Sequence, residues 1–323
     1  LSLFLVTGGA GFIGSHLVDA LLAAGHRVRV LDDFSTGKRA NLQPSVEIMA
    51  ADVADPDAVA VALEGATGCF HLAAIASVQR ANEDWLGTHR INLGGTIAVL
   101  DAARSRGAVS AIPVVYASSA AVYGDVGNQI AAETCRPMPQ TAYGADKLGS
   151  ELHASVAWHV HGVPTLGLRF FNVYGRRQDP RSPYSGVISI FADRIAQGLQ
   201  ITLHGDGGQT RDFVHVSDVV THLQAGMRRL AEAPGAYVLN VCTGRETSIR
   251  SLAAVIGALQ GVPVDPSHGP ARDGDIRRSV GDPGRARAQL GVAAELRLEQ
   301  GLQDVVDVFA GLPMSHPAVG LDP

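Results

Sequence analysis

The 323 residues carry 26 lysines and arginines against 31 acids, a net charge of −5, with 46% hydrophobic and 18% charged residues. That balance excludes wholesale nucleic-acid binding, and the apolar runs are too short to span a bilayer, so one large α/β unit or two domains is expected, with no nucleic acid or membrane as partner. The three cysteines, Cys69, Cys135 and Cys242, are odd in number and far apart, which excludes a disulfide framework or zinc spacing and makes a reducing cytoplasm the simplest setting; no metal site is expected, at His159 and His161 or elsewhere.

Residues 3–7 (LFLVT) read as a buried strand rather than a signal peptide, because the run lacks a basic leader and passes straight into a glycine loop. That loop, Gly8-Gly9-Ala10-Gly11-Phe12-Ile13-Gly14, has the spacing G-x-x-G-x-x-G and opens a helical pattern from about Phe12 to Ala24. Glycines placed there let the backbone turn tightly and let a pyrophosphate reach the helix N-terminus. The next strand, 27–32, ends on Asp32, whose carboxylate can accept both hydroxyls of an adenosine ribose. A 2′-phosphate would meet that carboxylate with like charge, so NAD is expected over NADP, although Lys38 and Arg39 follow soon after. Asp52-Val53 closes a third strand, where Asp52 can meet an adenine amine or serve as a turn or helix-cap residue.

Short apolar runs at 68–73, 114–117 and 165–170 alternate with segments of helical period at 92–106 and 143–161. Strands alternating with helices imply an α/β fold with a doubly wound parallel sheet of Rossmann type. Within the last of these helical segments, Tyr143 and Lys147 have the spacing Y-x-x-x-K. Residues four apart share a helix face, so the phenol and the ammonium point the same way and the cation favours phenolate. The strand before them ends in Ser118-Ser119, hydroxyls able to align a substrate oxygen for proton exchange with the tyrosine.

After about residue 170 the rhythm changes. Helical periods at 187–198 and 247–260 stand among irregular stretches, and 262–284, rich in Pro, Gly, Asp and Arg, reads as a functional loop. The division expected is a cofactor domain at 1–168, a smaller mixed α/β substrate domain at 169–310 with segments returning to the sheet, and a tail at 311–323.

The loop at 8–14, Asp32, Ser118-Ser119-Ala120-Ala121-Val122-Tyr123-Gly124, Tyr143 with Lys147, and Arg169-Phe170-Phe171-Asn172-Val173-Tyr174-Gly175 together resemble the extended short-chain dehydrogenases, and among them the UDP-hexose 4-epimerases. The resemblance implies tightly held NAD. Gly8, Gly11, Phe12, Ile13 and Gly14 would hold the pyrophosphate, Asp32 the ribose, and Asp52 and Val53 the adenine. Leu72, Ala73 and Ala74 would line the cofactor with Asn92 nearby. Tyr143 would transfer the proton beside Lys147, and either Ser119 or Ser118 would meet the sugar hydroxyl. On the substrate side it implies Asn172, Arg211, and Arg272 with Asp275 at the UDP diphosphate and ribose, and Val187 with Leu203-His204-Gly205 flanking the uracil.

Ala120 and Ala121 stand where related dehydratases and decarboxylases keep acids, and neither can move a proton. Ser279 stands at the position of a bulky tyrosine in glucose-only epimerases, leaving room for an N-acetyl group. The run Gly274–Ser279 also resembles UDP-N-acetylglucosamine 4-epimerases. The resemblance therefore implies interconversion of UDP-GlcNAc and UDP-GalNAc, with UDP-Glc and UDP-Gal as a slower pair. A UDP-glucuronate epimerase or decarboxylase, with Arg277 or Arg278 at a carboxylate, and a non-catalytic NAD-binding sensor stand as alternatives. The helices near 92–106 and 143–161 resemble a homodimer contact, and their apolar positions fit an internal core equally.

Overall fold

The opening run buries Leu3, Leu5, Val6 and Thr7, as a strand covered on both faces must. In the computed structural model, which describes residues 2–105, 110–180, 186–271 and 275–309, it forms β1, Leu3–Thr7. The strands that join it are β2 (Arg27–Asp32), β3 (Glu47–Ala50), β4 (Gly68–His71), β5 (Val114–Ser119), β6 (Thr165–Phe170) and β7 (Ala236–Val241). They make one seven-stranded sheet in the order β7-β6-β5-β4-β1-β2-β3. Every pairing in it is parallel. The order reverses between β1 and β4, and such a reversal opens a crevice at the carboxyl ends of the strands.

Successive strand residues point to opposite faces. Val6 thus joins a core with Leu17 and Val18 of the helix Phe12–Ala23 and Val219 and Leu223 of the helix Val216–Glu232. Leu5 joins the other, with Val59, Val99 and Ala154 from the helices Pro56–Leu63, Gly95–Ala102 and Ala142–His161. A third core, around Ile188, Phe191, Leu203, Phe213, Leu252 and Leu302, belongs to a smaller unit with the helices Val187–Ala196, Ile249–Leu259 and Leu298–Phe309.

Several elements differ from the sequence expectation. The third strand ends at Ala50, so Asp52 lies in the turn beyond it. The segment expected as one helix at 92–106 starts as a π-helical turn, Arg90–Gly94, before the α-helix Gly95–Ala102. The loop 262–284 contributes two short strands: Ser267–Gly269 pairs with Thr202–His204, and Arg278–Ser279 pairs with Thr210–Arg211. The strand β6 runs across the expected boundary at residue 168, while segments returning to the sheet were expected, and β7 with the helix before it lies on the large sheet. Arg272 and the tail at 311–323 lie outside the described residues. Among the described residues no helix is long and apolar enough to cross a membrane.

Candidate active site

The crevice at the β1–β4 reversal is a cleft of about 860 Å³, and Gly8, Gly11, Phe12, Ile13, Gly14, Asp32, Asp52, Val53, Leu72, Ala73 and Ala74 all border it. The glycines are required by close approach. Gly8 has φ +69°, and a Cβ there would lie 2.7 Å from the Ala73 nitrogen; a Cβ on Gly14 would strike the Gly8 carbonyl. The helix that follows starts at Gly11 without a side-chain cap, so its first amides are open to an anion. The Asp32 carboxylate accepts hydrogen bonds from the Ala10 and Phe34 amides, each at 2.9 Å. Burial pushes its carboxyl above the usual range, and those two bonds oppose the shift. Lys38 is drawn to Asp179 at 2.6 Å, and Arg39 lies over the Phe34 ring at 5.7 Å. An open helix N-terminus beside a ribose-height carboxylate fits NAD.

Thr7 was not singled out from the sequence, yet it fixes one wall of the cleft. Its hydroxyl accepts from the Leu72 and Ala73 amides, each at 3.2 Å, and bonds His71 Nδ1 at 2.8 Å. Burial pulls His71 down to about 3, so the imidazole is neutral and serves as a hydrogen-bonded strut. Asp52 is a turn residue on the rim, accepting from the Ala54 amide at 2.8 Å and pairing with Arg90 at 2.6 Å. Asn92 stands next to the cleft lining: it is fully buried, and its side chain bonds the amide (2.8 Å) and carbonyl (3.1 Å) of Ile75, which borders the cleft.

Tyr143 and Lys147 project into the same cleft from the helix Ala142–His161, capped by Thr141. Gly144 lets the first turn of that helix close on the turn after β5; a Cβ there would stand 2.6 Å from the Ala121 carbonyl. Lys147 Nζ donates to the Ala117 carbonyl at 2.9 Å and lies 5.8 Å from the Tyr143 ring centroid. Burial lowers Lys147 to about 8, opposed by the Asp146 carboxylate. Burial also raises the Tyr143 phenol, opposed by a hydrogen bond with the Ser119 side chain. The two serines are therefore separated by their partners. Ser119 meets the tyrosine and caps the Ala120–Val122 turn, whereas Ser118 donates to Glu151 Oε1 at 2.5 Å.

The substrate residues fall in two groups. Asn172 borders the cleft, as does Gly186 just before Val187. Asn172 pairs with Phe213 across parallel strands, which brings it close in the fold to Arg211. Arg211 is held by Asp275 and by the Ile276 carbonyl (2.7 Å), and Ser279 sits opposite it in the strand register. Arg211, Asp275 and Ser279 thus cluster, but beside the NAD cleft rather than on it. The Leu203 side chain is 1% exposed, in the core of the smaller unit, so the stretch Leu203-His204-Gly205 offers a ligand its backbone there rather than that side chain. The His204 ring bonds the Pro270 carbonyl at 3.2 Å, and Val187 packs against the same core.

Residues 4–242 match the family model of the NAD-dependent epimerases/dehydratases. The chain belongs to that family. A UDP-glucose 4-epimerase of Mycolicibacterium smegmatis is 38% identical over 312 residues, covering 94% of this chain and 97% of that one. The crystal structure of a Thermus thermophilus UDP-glucose 4-epimerase in complex with NAD is 37% identical with a TM-score of 0.85, covering 96% and 99% of the two chains. A UDP-N-acetylglucosamine 4-epimerase from Methanobrevibacter ruminantium, in complex with UDP-N-acetylmuramic acid, is 31% identical with a TM-score of 0.89, covering 96% and 98%.

As a member of this epimerase/dehydratase family the chain uses NAD. Tyr143, Lys147, Ser118 and Ser119 place a phenol, an amine and two hydroxyls together on the cofactor cleft. Arg177, Gln178 and Asp179, just beyond the Arg169–Gly175 motif, also border the cleft and were not expected from sequence.

Proposed function

We propose that this chain is an NAD-dependent 4-epimerase of UDP sugars, preferring UDP-GlcNAc and UDP-GalNAc and turning over UDP-Glc and UDP-Gal more slowly. The observation that carries the reading is the Tyr143–Lys147–Ser119 constellation on the cofactor cleft, followed by a turn that offers only Ala120 and Ala121 where water loss or decarboxylation would need an acid. NAD, held by the glycine loop and Asp32, would supply a reversible hydride acceptor for the sugar's C4. Tyr143 as phenolate removes the C4 hydroxyl proton, and Ser119 aligns that oxygen. Lys147 supplies the positive charge that favours phenolate. Asn172 and the Arg211–Asp275 pair would tether the UDP, which would let the sugar turn over and present its other face without leaving the site. Tyr143 then returns the proton.

Support for the acetamido preference is Ser279, a small residue opposite Arg211 in the strand pair. The glucuronate reading is weaker, because its cations are engaged: Arg277 pairs with Asp206 and Arg278 with Glu246. Incubating the enzyme with each UDP sugar and resolving the products tests the proposal. Brisk conversion of UDP-GlcNAc to UDP-GalNAc is expected, and no turnover of the acetamido sugar beside fast UDP-galactose conversion would overturn the preference.

The cofactor domain of this reading spans 1–168 and the substrate domain 169–310. Leu152, Val156 and Val160 are 61%, 51% and 67% exposed on one side of the helix that carries Tyr143, and Ile97 is exposed on the helix Gly95–Ala102. Such a stripe fits a homodimer contact between these helices in two copies. The free thiols Cys69, Cys135 and Cys242 fit a reducing cytoplasm.

A further inference from the structure

The loop after the strand Asn172–Tyr174 leaves the smaller unit and returns to the glycine-loop side of the molecule. Its Arg177, Gln178 and Asp179 border the same cleft as Gly11, Phe12, Ile13 and Asp32. Three contacts tie it down there. The Arg176 carbonyl bonds His16 Nε2 at 2.9 Å, Arg177 pairs with Asp19 at 2.7 Å, and Asp179 pairs with Lys38 at 2.6 Å. His16 and Asp19 lie on the helix opened by the glycine loop, and Lys38 lies in the loop that follows Asp32. The loop therefore reaches both the element placed to hold the pyrophosphate and the element placed to hold the adenosine ribose.

Arg177 itself has φ 66°, a left-handed conformation that costs a non-glycine residue free energy and persists where the surroundings over-determine it. Asp19 and Asp179 on either side of it supply that over-determination.

We propose that residues 176–179 form a strap across the NAD cleft, and that the Arg177–Asp19 and Lys38–Asp179 pairs set how long the cofactor stays bound. The proposal deepens the epimerase reading, in which each turnover regenerates NAD and the cofactor has no need to leave. The strap side chains act on release and do not touch the reacting atoms. Both pairs reach solvent, with side chains 27–57% exposed in Lys38–Asp179 and near 31–32% in Arg177–Asp19. Salt must therefore loosen the strap.

The test loads the full-length protein with NAD, removes the excess, and follows NAD still bound against time, in low and high sodium chloride. Release from the wild type is expected to quicken with salt. Asp19→Asn and Asp179→Asn are each expected to release NAD about 2–5-fold faster, the range for solvent-reaching ion pairs, and together about tenfold faster with little salt dependence left. Exchanging one pair, Lys38→Asp with Asp179→Lys, is expected to restore slow release. If Arg177 instead gripped the pyrophosphate directly, Asp19→Asn would leave release unchanged or slow it, which overturns the strap. Normal NAD loading with release indifferent to salt and to all these substitutions also overturns the strap while leaving the epimerase reading intact. A folded protein that takes up no NAD overturns both.

Discussion

Tyr143→Phe is expected to lower kcat by about 10²–10⁴-fold while leaving bound NAD and the KM for the UDP sugar nearly unchanged. In the proposed mechanism the phenol exchanges a proton with a sugar hydroxyl that Ser119 aligns, and phenylalanine keeps the ring while removing the phenolic hydroxyl. Burial works against phenolate at this position, and in the proposed mechanism the nearby Lys147 ammonium offsets it. The pH dependence has two opposed limbs: ionisation of the Tyr143 phenol makes the rate rise with pH, and loss of the charge on Lys147, lowered to about 8, makes it fall above that value, so Lys147→Met should remove the falling limb. Steady-state kinetics of Tyr143→Phe and pH profiles of the wild type and Lys147→Met check both statements. A loss smaller than about tenfold in Tyr143→Phe would remove the tyrosine from the proton-transfer role.

Glu151→Ala is expected to cost about 3–5 kcal/mol of folding free energy, read from chemical denaturation. Glu151 lies two turns beyond Tyr143 on the same helix and takes Arg169 of β6 in two hydrogen bonds, at 2.8 Å and 2.6 Å, while accepting from Ser118 of β5. The paired side chains are 5% and 6% exposed. Burial opposes the Arg169 charge, and the Glu151 hydrogen bond and charge outweigh it, holding the guanidinium above its usual value. Removing the carboxylate strands that buried cation, whose Nη1 already has no hydrogen-bond partner, and also strands the Ser118 hydroxyl. Glu151→Ala combined with Arg169→Met should recover part of the loss, because an apolar replacement of both partners leaves no unpaired charge. A cost below about 1 kcal/mol for the single variant would contradict this account of the pair.

Much of the cofactor half was legible because its signals are local. A buried apolar strand, a glycine loop and a helix stand in immediate succession at residues 3–24, and Asp32 ends the next strand; the structure places all of them on one cleft. The Tyr143–Lys147 pair was legible for the same reason, since helical spacing alone puts both on one face. The bond that engages Ser118 was not, because Glu151 reaches it, and Arg169, only when the helix packs on β5 and β6. The bonds between the Asn92 amide and the backbone of Ile75, seventeen residues away, left no trace in the sequence.

The helix Val216–Glu232 was passed over although its buried Val216, Val219, Val220, Leu223, Met227 and Leu230 carry a helical period. Glycine- and proline-rich segments around it masked that signal. The short pairings of the smaller unit left little trace in sequence, because strands of two or three residues have no period to read. Asp212 illustrates the point: its buried carboxylate accepts from the Thr243, Gly244 and Gly281 amides and joins three loops by contacts that no local pattern announces.

The central claim is that the sugar's own C4 hydrogen leaves and returns within one closed site. The most direct measurement uses a UDP sugar deuterated at C4, converted in ordinary water, with the label located in the epimerised product. The account predicts that the deuterium stays at C4 of the product. Loss of the label to solvent hydrogen would contradict it.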